Sequence, residues 1–290
     1  MALFPIFKQF CSFALPFLKQ QQLPSWVAAE PLLFTFFVST LHTFLWVVCN
    51  FGFMALDRLN LFQSYKIGRK DFEVSSTAAL MPRMFLEATI SQVVTGPILA
   101  YFLYDAFVKF GMGSYTDPLP SFLEMSKVFI TAHMFNDVGF YLTHRLMHHK
   151  SVYKFFHKKH HEFKGTVGFS AEYAHPLEVV ISNQIPTLGG VFLCGTHPLC
   201  VFVWLALRLQ QTFEAHSGYC FKDTILNGFP FYVLHAEGAA FHDHHHTVNQ
   251  GNFAGAYTDY VFGTMDHWLE GGGEDGYIEK RKKDGAKKKE

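Results

Sequence analysis

The chain has 290 residues, enough for one large domain or two small ones, and its 24 basic and 24 acidic residues cancel to a formal net charge of zero, so bulk charge gives no argument for a nucleic-acid partner. Only 17% of residues are charged, against about a quarter in soluble domains, while 17% are aromatic, 34 of them Phe; with a mean hydropathy of +0.11 this balance points to a membrane. Five cysteines, Cys11, Cys49, Cys194, Cys200 and Cys220, show no CxxC and no tight pairing pattern, which excludes a disulfide framework and suits a reducing compartment.

Residues 1–10 lack the charged start and small-residue cleavage site of a signal peptide and read as an uncleaved apolar segment at the membrane interface. Residues 31–56 form the first stretch long enough to cross about 30 Å of hydrocarbon, with His42 expected inside the bundle. Residues 57–84, carrying Arg58, Lys66, Arg69, Lys70 and Arg83, read as a polar connection. A second span covers 85–108, kinked at Gly96-Pro97, and a third covers 122–142. His133, Asn136 and Asp137 interrupt that third span, and polar groups at membrane depth are functional candidates by default. Residues 176–213 read as an apolar helical hairpin turning near 195–198.

The end of the chain, 271–290, reads as a disordered basic tail whose Lys287-Lys288-Lys289-Glu290 is similar to a dilysine endoplasmic-reticulum retrieval signal. Lysines and arginines concentrate in 57–84, in 150–164 and in the tail, and this bias predicts that all three face the cytosol.

Three histidine clusters lie between these stretches. They are His144-Arg145-Leu146-Met147-His148-His149, His157-Lys158-Lys159-His160-His161 and His242-Asp243-His244-His245-His246. Neutral imidazole is a ligand suited to iron, copper or zinc. Two rings at i and i+4 share a helical face, and a doublet turns its second ring to another side, so each cluster can reach more than one ion. Nine or ten imidazoles exceed the four of a tetrahedral zinc site and suit a pair of metal ions. The alternative, solvated surface histidines, fits one such cluster better than three. The fold class expected is all-α: an integral membrane helical bundle with a cytosolic, histidine-rich helical cap over a di-metal site.

The clusters match, in order, the HxxxHH, HxxHH and HDxHH boxes of the fatty acid hydroxylase superfamily, whose members include sterol C4-methyl oxidases, sterol 25-hydroxylases and sterol C5-desaturases. Ala171-Glu172-Tyr173-Ala174-His175-Pro176-Leu177-Glu178 is similar to the AEYAHPLE stretch of the C4-methyl oxidases, and His216-Ser217-Gly218-Tyr219 to the HSGY shared with 25-hydroxylases. Asn252-Phe253 and Phe262-Gly263-Thr264 also fall where the family carries similar residues. The resemblance covers residues 125–267. Residues 232–241 are longer and less typical than the family's loop before the third box, and the chain before residue 120 carries no family motif. The organisation implied is a membrane region over 1–120, a catalytic domain over 121–270 and the tail over 271–290.

The resemblance implies two iron ions and O2-dependent oxidation of an unactivated C–H bond in a sterol or related lipid, most like C4-methyl oxidation. Fatty acyl hydroxylation or desaturation on the same scaffold is the alternative, and a non-catalytic metal-binding membrane protein a remote one. The ligands expected are His144, His148, His149, His157, His160, His161, His242, His245 and His246, with His216, at the end of an apolar helix, as a tenth. His175 precedes a proline and can instead satisfy local backbone; His244, in the variable slot, is expected in solvent. Asp137, Glu172 and Asp243 are the carboxylates available to accept the outer N–H of a ligand ring, each with a plain alternative as a cap or surface charge. Neither a haem-binding HPGG nor a GxGxxG after a strand occurs, so electrons are expected from separate partners, within the family cytochrome b5 and its NAD(P)H-dependent reductase.

Overall fold

Long apolar runs can satisfy their backbone in hydrocarbon only as helices, and helices are what these runs form. The computed structural model describes residues 3–21, 28–226 and 238–286, and no strand occurs among them. The retrieval-like lysines 287–289 and most of the atypical 232–241 stretch lie outside the described residues.

Helix α1 spans Leu3–Gln20 and α2 spans Ala29–Arg58. Helices α3 (Asp71–Ile90) and α4 (Gly96–Lys109) are joined by one π turn, Ser91–Thr95. After α5 (Phe122–Met147) come the short α6 (Lys150–Tyr153) and two 3-10 turns, His160–Glu162 and Gly168–Glu172. Helix α7 (Pro176–Glu178) runs through a π segment, Val179–Gln184, into α8 (Ile185–Cys194), and α9 (Pro198–Ala215) follows across the expected turn at 195–197. The chain closes with α10 (Ala239–Val248), α11 (Ala256–Val261), α12 (Asp266–Glu270) and α13 (Gly273–Ala286).

Among the described residues, three helical stretches are long and apolar enough to cross a membrane: Ala29–Arg58, Asp71–Lys109 and Pro176–Cys194. Helix α5, read from the sequence as a span, has 26 residues but is not among these three.

Two expectations are corrected. The polar connection 57–84 shrinks to 59–70, because α3 already starts at Asp71 with Asp71 and Glu73 in its first turn, where acids complement the helix dipole. The irregularity near Gly96-Pro97 sits one turn earlier, as the π turn. Gly96 N–H reaches back to Ser91 O, and a Cβ on residue 96 would stand 2.8 Å from that oxygen, so the wide turn requires glycine there.

The chain divides into two compact units that are not contiguous in sequence: Met1–Phe44, Thr89–Asn136 and Thr187–Ala206 form one, and Leu45–Ala88, Asp137–Pro186 and Leu207–Glu290 form the other. In the first, Phe34 packs within 5.6 Å, centroid to centroid, of Tyr104, Phe107 and Phe202. Helix α8 approaches α5 so closely that a Cβ on Gly190 would lie 2.4 Å from Ala132 Cα.

In the second unit, Trp46, Met84, Phe163, Phe169, Tyr173 and Phe213 form one core, and Ile67, Phe241, Met265, Trp268 and Tyr277 form another. The latter corrects the reading of 271–290 as a disordered tail. Residues 273–286 are helical, and Tyr277 and Arg281 are buried at i and i+4 on one face of that helix. Lysine-rich composition concealed one anchoring face.

Candidate metal centre

The second unit holds all three histidine clusters. His144 and His148 sit one turn apart at the end of α5, with His148 N–H bonded to His144 O at 3.1 Å. His157 and His161 are again four apart, in the turns after α6, and His242 and His246 are four apart on α10. The tertiary fold sorts these rings into two groups. His144, His148, His157, His161 and His245 bring one nitrogen each within 4.8 Å of one another, and His160, His216, His242 and His246 do the same. The i, i+4 pair of each box serves a single group. In the second and third boxes an intervening histidine, His160 or His245, crosses to the other group. His157 and His160, three residues apart in the second box, therefore serve different groups.

The inner nitrogens nearly touch. His157 Nε2 lies 3.0 Å from His144 Nε2, 2.9 Å from His148 Nε2 and 3.0 Å from His161 Nε2, and His148 Nε2 lies 3.0 Å from His245 Nε2. In the second group His242 Nε2 stands 2.9 Å from His216 Nε2 and 3.1 Å from His246 Nε2.

The outer nitrogens decide what these contacts are. Nδ1 of His144 donates to Phe253 O at 2.5 Å, that of His245 to Gly251 O at 2.7 Å and that of His157 to Glu178 Oε1 at 2.8 Å. In the second group, His160 donates to Tyr173 O (3.2 Å), His216 to Thr212 O (2.8 Å) and His246 to Phe163 O (3.0 Å). The five backbone carbonyls only accept, so in His144, His245, His160, His216 and His246 the single proton of a neutral ring sits on Nδ1 and Nε2 presents a bare lone pair.

Burial keeps the rings neutral. Desolvation pushes His148 down to about 2, His216 to about 3 and His160 to about 4, and holds His161, His242, His245 and His246 well below the ordinary 6.5. The bare lone pairs of His160, His216 and His246 converge within 4.8 Å of one another, and a cation is what such a convergence accommodates. The donor set is all imidazole, with no carboxylate oxygen in either group, which fits a transition metal and disfavours calcium or magnesium.

Other expected site residues land elsewhere. His149 is exposed, and its ring accepts from Ser151 N–H as the cap of α6, so it joins neither group; the second ring of the doublet is turned out of the cluster. His175 likewise caps α7 by accepting from Leu177 N–H. His244 is buried rather than in solvent: its ring packs edge-on against Trp268 and Tyr277, because α12 and α13 cover the side of α10 that faces away from the other rings.

The carboxylates singled out have these described neighbours. Asp137 is buried as a charged neighbour of Arg208, and Glu172 is half-buried at the end of a 3-10 turn. Asp243 accepts from Thr166 and Tyr277. The carboxylate that orients a ring is Glu178, 3% exposed in the first turn of α7. It ends the same Ala171–Glu178 stretch that drew attention to Glu172. Which of two glutamates faces a histidine depends on how α7 starts after Pro176.

Asp259 was not singled out either. It is fully buried and accepts from Phe253 N–H (2.8 Å), Ala254 N–H (2.7 Å) and Thr264 Oγ1 (2.7 Å). That fixes the 251–254 loop, whose carbonyls orient His144 and His245. Gly251, at φ 65°, could not carry a side chain, since a Cβ would lie 2.2 Å from Thr264 O.

Residues 129–264 match the sequence profile described as Fatty acid hydroxylase. Over 238 residues the chain is 34% identical to a protein of Dictyostelium discoideum named as a methylsterol monooxygenase, covering 81% of this chain and 85% of that one. It is 42% identical to methylsterol monooxygenase 1 of Rattus norvegicus over 153 residues, 52% of this chain and 48% of the other. It is also 34% identical over 229 residues, 77% of this chain and 82% of the other, to a very-long-chain aldehyde decarbonylase of Oryza sativa. No solved structure is significantly similar to it.

Proposed function

This chain belongs to the fatty acid hydroxylase family, and from that premise we propose that it is a methylsterol monooxygenase, an oxidoreductase that uses O2 to hydroxylate a methyl group on C4 of a sterol. The observation that carries the metal part of this reading is nine inward imidazoles in two adjoining groups, five of them with the ring proton held on the outer nitrogen by a backbone carbonyl. In this reading His144, His148, His157, His161 and His245 hold one iron ion, and His160, His216, His242 and His246 the other. When bound, the pair of irons supplies the two-electron reduction of O2 and the oxidising power to break an unactivated C–H bond.

The rest is the work of the chain. Carbonyls of Phe253, Gly251, Tyr173, Thr212 and Phe163, with the Glu178 carboxylate, hold six rings at fixed tautomer and angle, so little reorganisation accompanies metal entry. Burial keeps the imidazoles deprotonated throughout the physiological range, and protons do not compete with metal. The chain is a membrane protein by its three long apolar helices, which gives a sterol a route from the bilayer. Electrons would come from cytochrome b5 and its NAD(P)H-dependent reductase. The lysine bias at Lys150, Lys154, Lys158 and Lys159 supports a cytosolic face for the histidine region, and the endoplasmic reticulum is the membrane that fits a sterol enzyme.

The rice relative motivates a second reading, an aldehyde substrate with a long alkyl chain. Both are tested together. The iron-loaded protein in lipid nanodiscs, with a reductase and cytochrome b5, is given either a 4,4-dimethylsterol or a long-chain aldehyde, and products are read by mass spectrometry. A 4-hydroxymethyl sterol is expected. Alkane from the aldehyde with the sterol untouched would replace the first reading by the second.

A further inference from the structure

Helix α13 supplies no histidine, yet two of its side chains reach the third box. Tyr277 Oη donates to Asp243 Oδ2 at 2.7 Å and also lies 2.8 Å from Thr247 Oγ1. Arg281 Nε lies 3.7 Å from the same Asp243 oxygen, while its two terminal nitrogens grip Glu73 at 3.0 and 2.7 Å as a bidentate pair. The other oxygen of Asp243 accepts from both the backbone N–H and the hydroxyl of Thr166, at 3.0 and 2.9 Å. Arg69 donates to Thr166 O and feels the charges of Asp243 and Glu73.

The network holds two acids and Arg281 out of water, with Arg69 half-buried beside them. Glu73, Thr166 and Asp243 are each at most 1% exposed and Arg281 2%. Such a set is costly to break from one side, because the partner left behind is a buried, uncompensated charge.

Its position relative to the histidines gives it a consequence. Asp243 stands between His242 and His244 on α10. Thr166 follows the second box, three residues after Phe163, whose carbonyl orients His246. The network therefore links the strip carrying His157, His160 and His161 to the helix carrying His242, His245 and His246, and α13 closes it.

We propose that α13 is a positioning clasp for the metal centre: Tyr277 and Arg281, acting through Asp243, set the separation of the second and third histidine boxes and so the coordination geometry. This rests on the metal-binding reading above.

The test uses the purified full-length protein titrated with cobalt(II), whose visible absorption reports ligand geometry. Tyr277→Phe removes one hydroxyl and keeps the ring that packs on His244 and Trp268. Arg281→Met removes the charge, Arg281→Lys restores it without the bidentate grip, and Phe34→Ala opens a cavity against Tyr104, Phe107 and Phe202 in the first unit as a control for lost stability alone. Tyr277→Phe and Arg281→Met are expected to weaken cobalt binding at least tenfold and to shift its absorption bands, with Arg281→Lys in between. Phe34→Ala should lower Tm with bands and affinity unchanged.

Wild-type bands and affinity in Tyr277→Phe would overturn the clasp, and that variant decides the matter if Arg281→Met does not fold. A wild-type protein that takes up no cobalt would instead overturn the metal reading, and the clasp with it.

Discussion

Replacing Glu178 with Gln isolates the orienting carboxylate from the ligands it serves. The two side chains have nearly equal volume, so α7 should pack unchanged, and the loss is the negative charge that Nδ1–H of a metal-bound His157 would face at 2.8 Å. A hydrogen bond to a charged group is worth about 1.5–3 kcal/mol. Partners of ligand histidines typically control 10–100-fold in metal affinity, or about 1.4–2.7 kcal/mol. Both routes give about 2 kcal/mol, roughly a 30-fold weaker site.

The structure says which site. His157 Nε2 is within 3.0 Å of three other Nε2 atoms, all in the five-histidine group, so the loss should fall there and spare the group of His160, His216, His242 and His246. Competition against a graded series of chelators, with metal counted by mass spectrometry, reads this directly. Glu178→Gln should pass through a stage of one ion per chain at chelator strengths where the wild type still holds two. Retention equal to wild type would refute the orienting role, and equal weakening of both ions would refute the division into separate groups.

Three further outcomes follow from the same geometry. Replacing His160 with Ala should remove the ion of the four-histidine group and abolish lipid oxidation, whereas His149→Ala should keep both ions. His244→Ala should also keep both ions but lose about 2 kcal/mol or more of stability from the gap left against Trp268 and Tyr277, read as a lower Tm. The gently purified protein should carry two metal ions per chain; a value near zero or one would count against the double site.

For the metal-free protein, stability should fall as pH drops below about 6.5. Above that both folded and unfolded histidines are neutral. Below it the unfolded rings take protons that the folded ones, held at about 4 for His160 and about 3 for His216, refuse. Each such ring adds a slope of about 1.4 kcal/mol per pH unit until its folded value is reached. Unfolding midpoints that do not move between pH 7 and 5 would contradict the burial of the rings.

Helical membrane architecture and the identity of nine clustered histidines were legible in the sequence, because both are carried by local pattern. An apolar run of about 20 residues declares a span, and the i, i+4 spacing of His144 with His148, or of His242 with His246, places two rings on one face wherever that helix goes. The grouping was not legible. Whether His160 joins His157 or His242 depends on a 3-10 turn at His160–Glu162 and on where α10 lies, and neither has a local signature.

The same holds for what surrounds the ligands. Five of the six outer ring nitrogens with described partners bond to backbone carbonyls, and every residue type offers the same carbonyl, so no inspection of side chains could choose Phe253 or Gly251 in advance. His149 and Asp243 carried the right chemistry in the right motif and were sent elsewhere, one to cap α6 and the other to bind Thr166 and Tyr277. Composition misread α13 for a related reason. A helix with lysines on most sides has the same average as a disordered tail, and only its packing shows that Tyr277 and Arg281 point inward. Sequence determined the pool of histidines from which the two groups are drawn and the long apolar helices that accompany them. Only the tertiary fold decided which lone pairs meet, because that depends on contacts between segments up to about a hundred residues apart, such as His148 with His245.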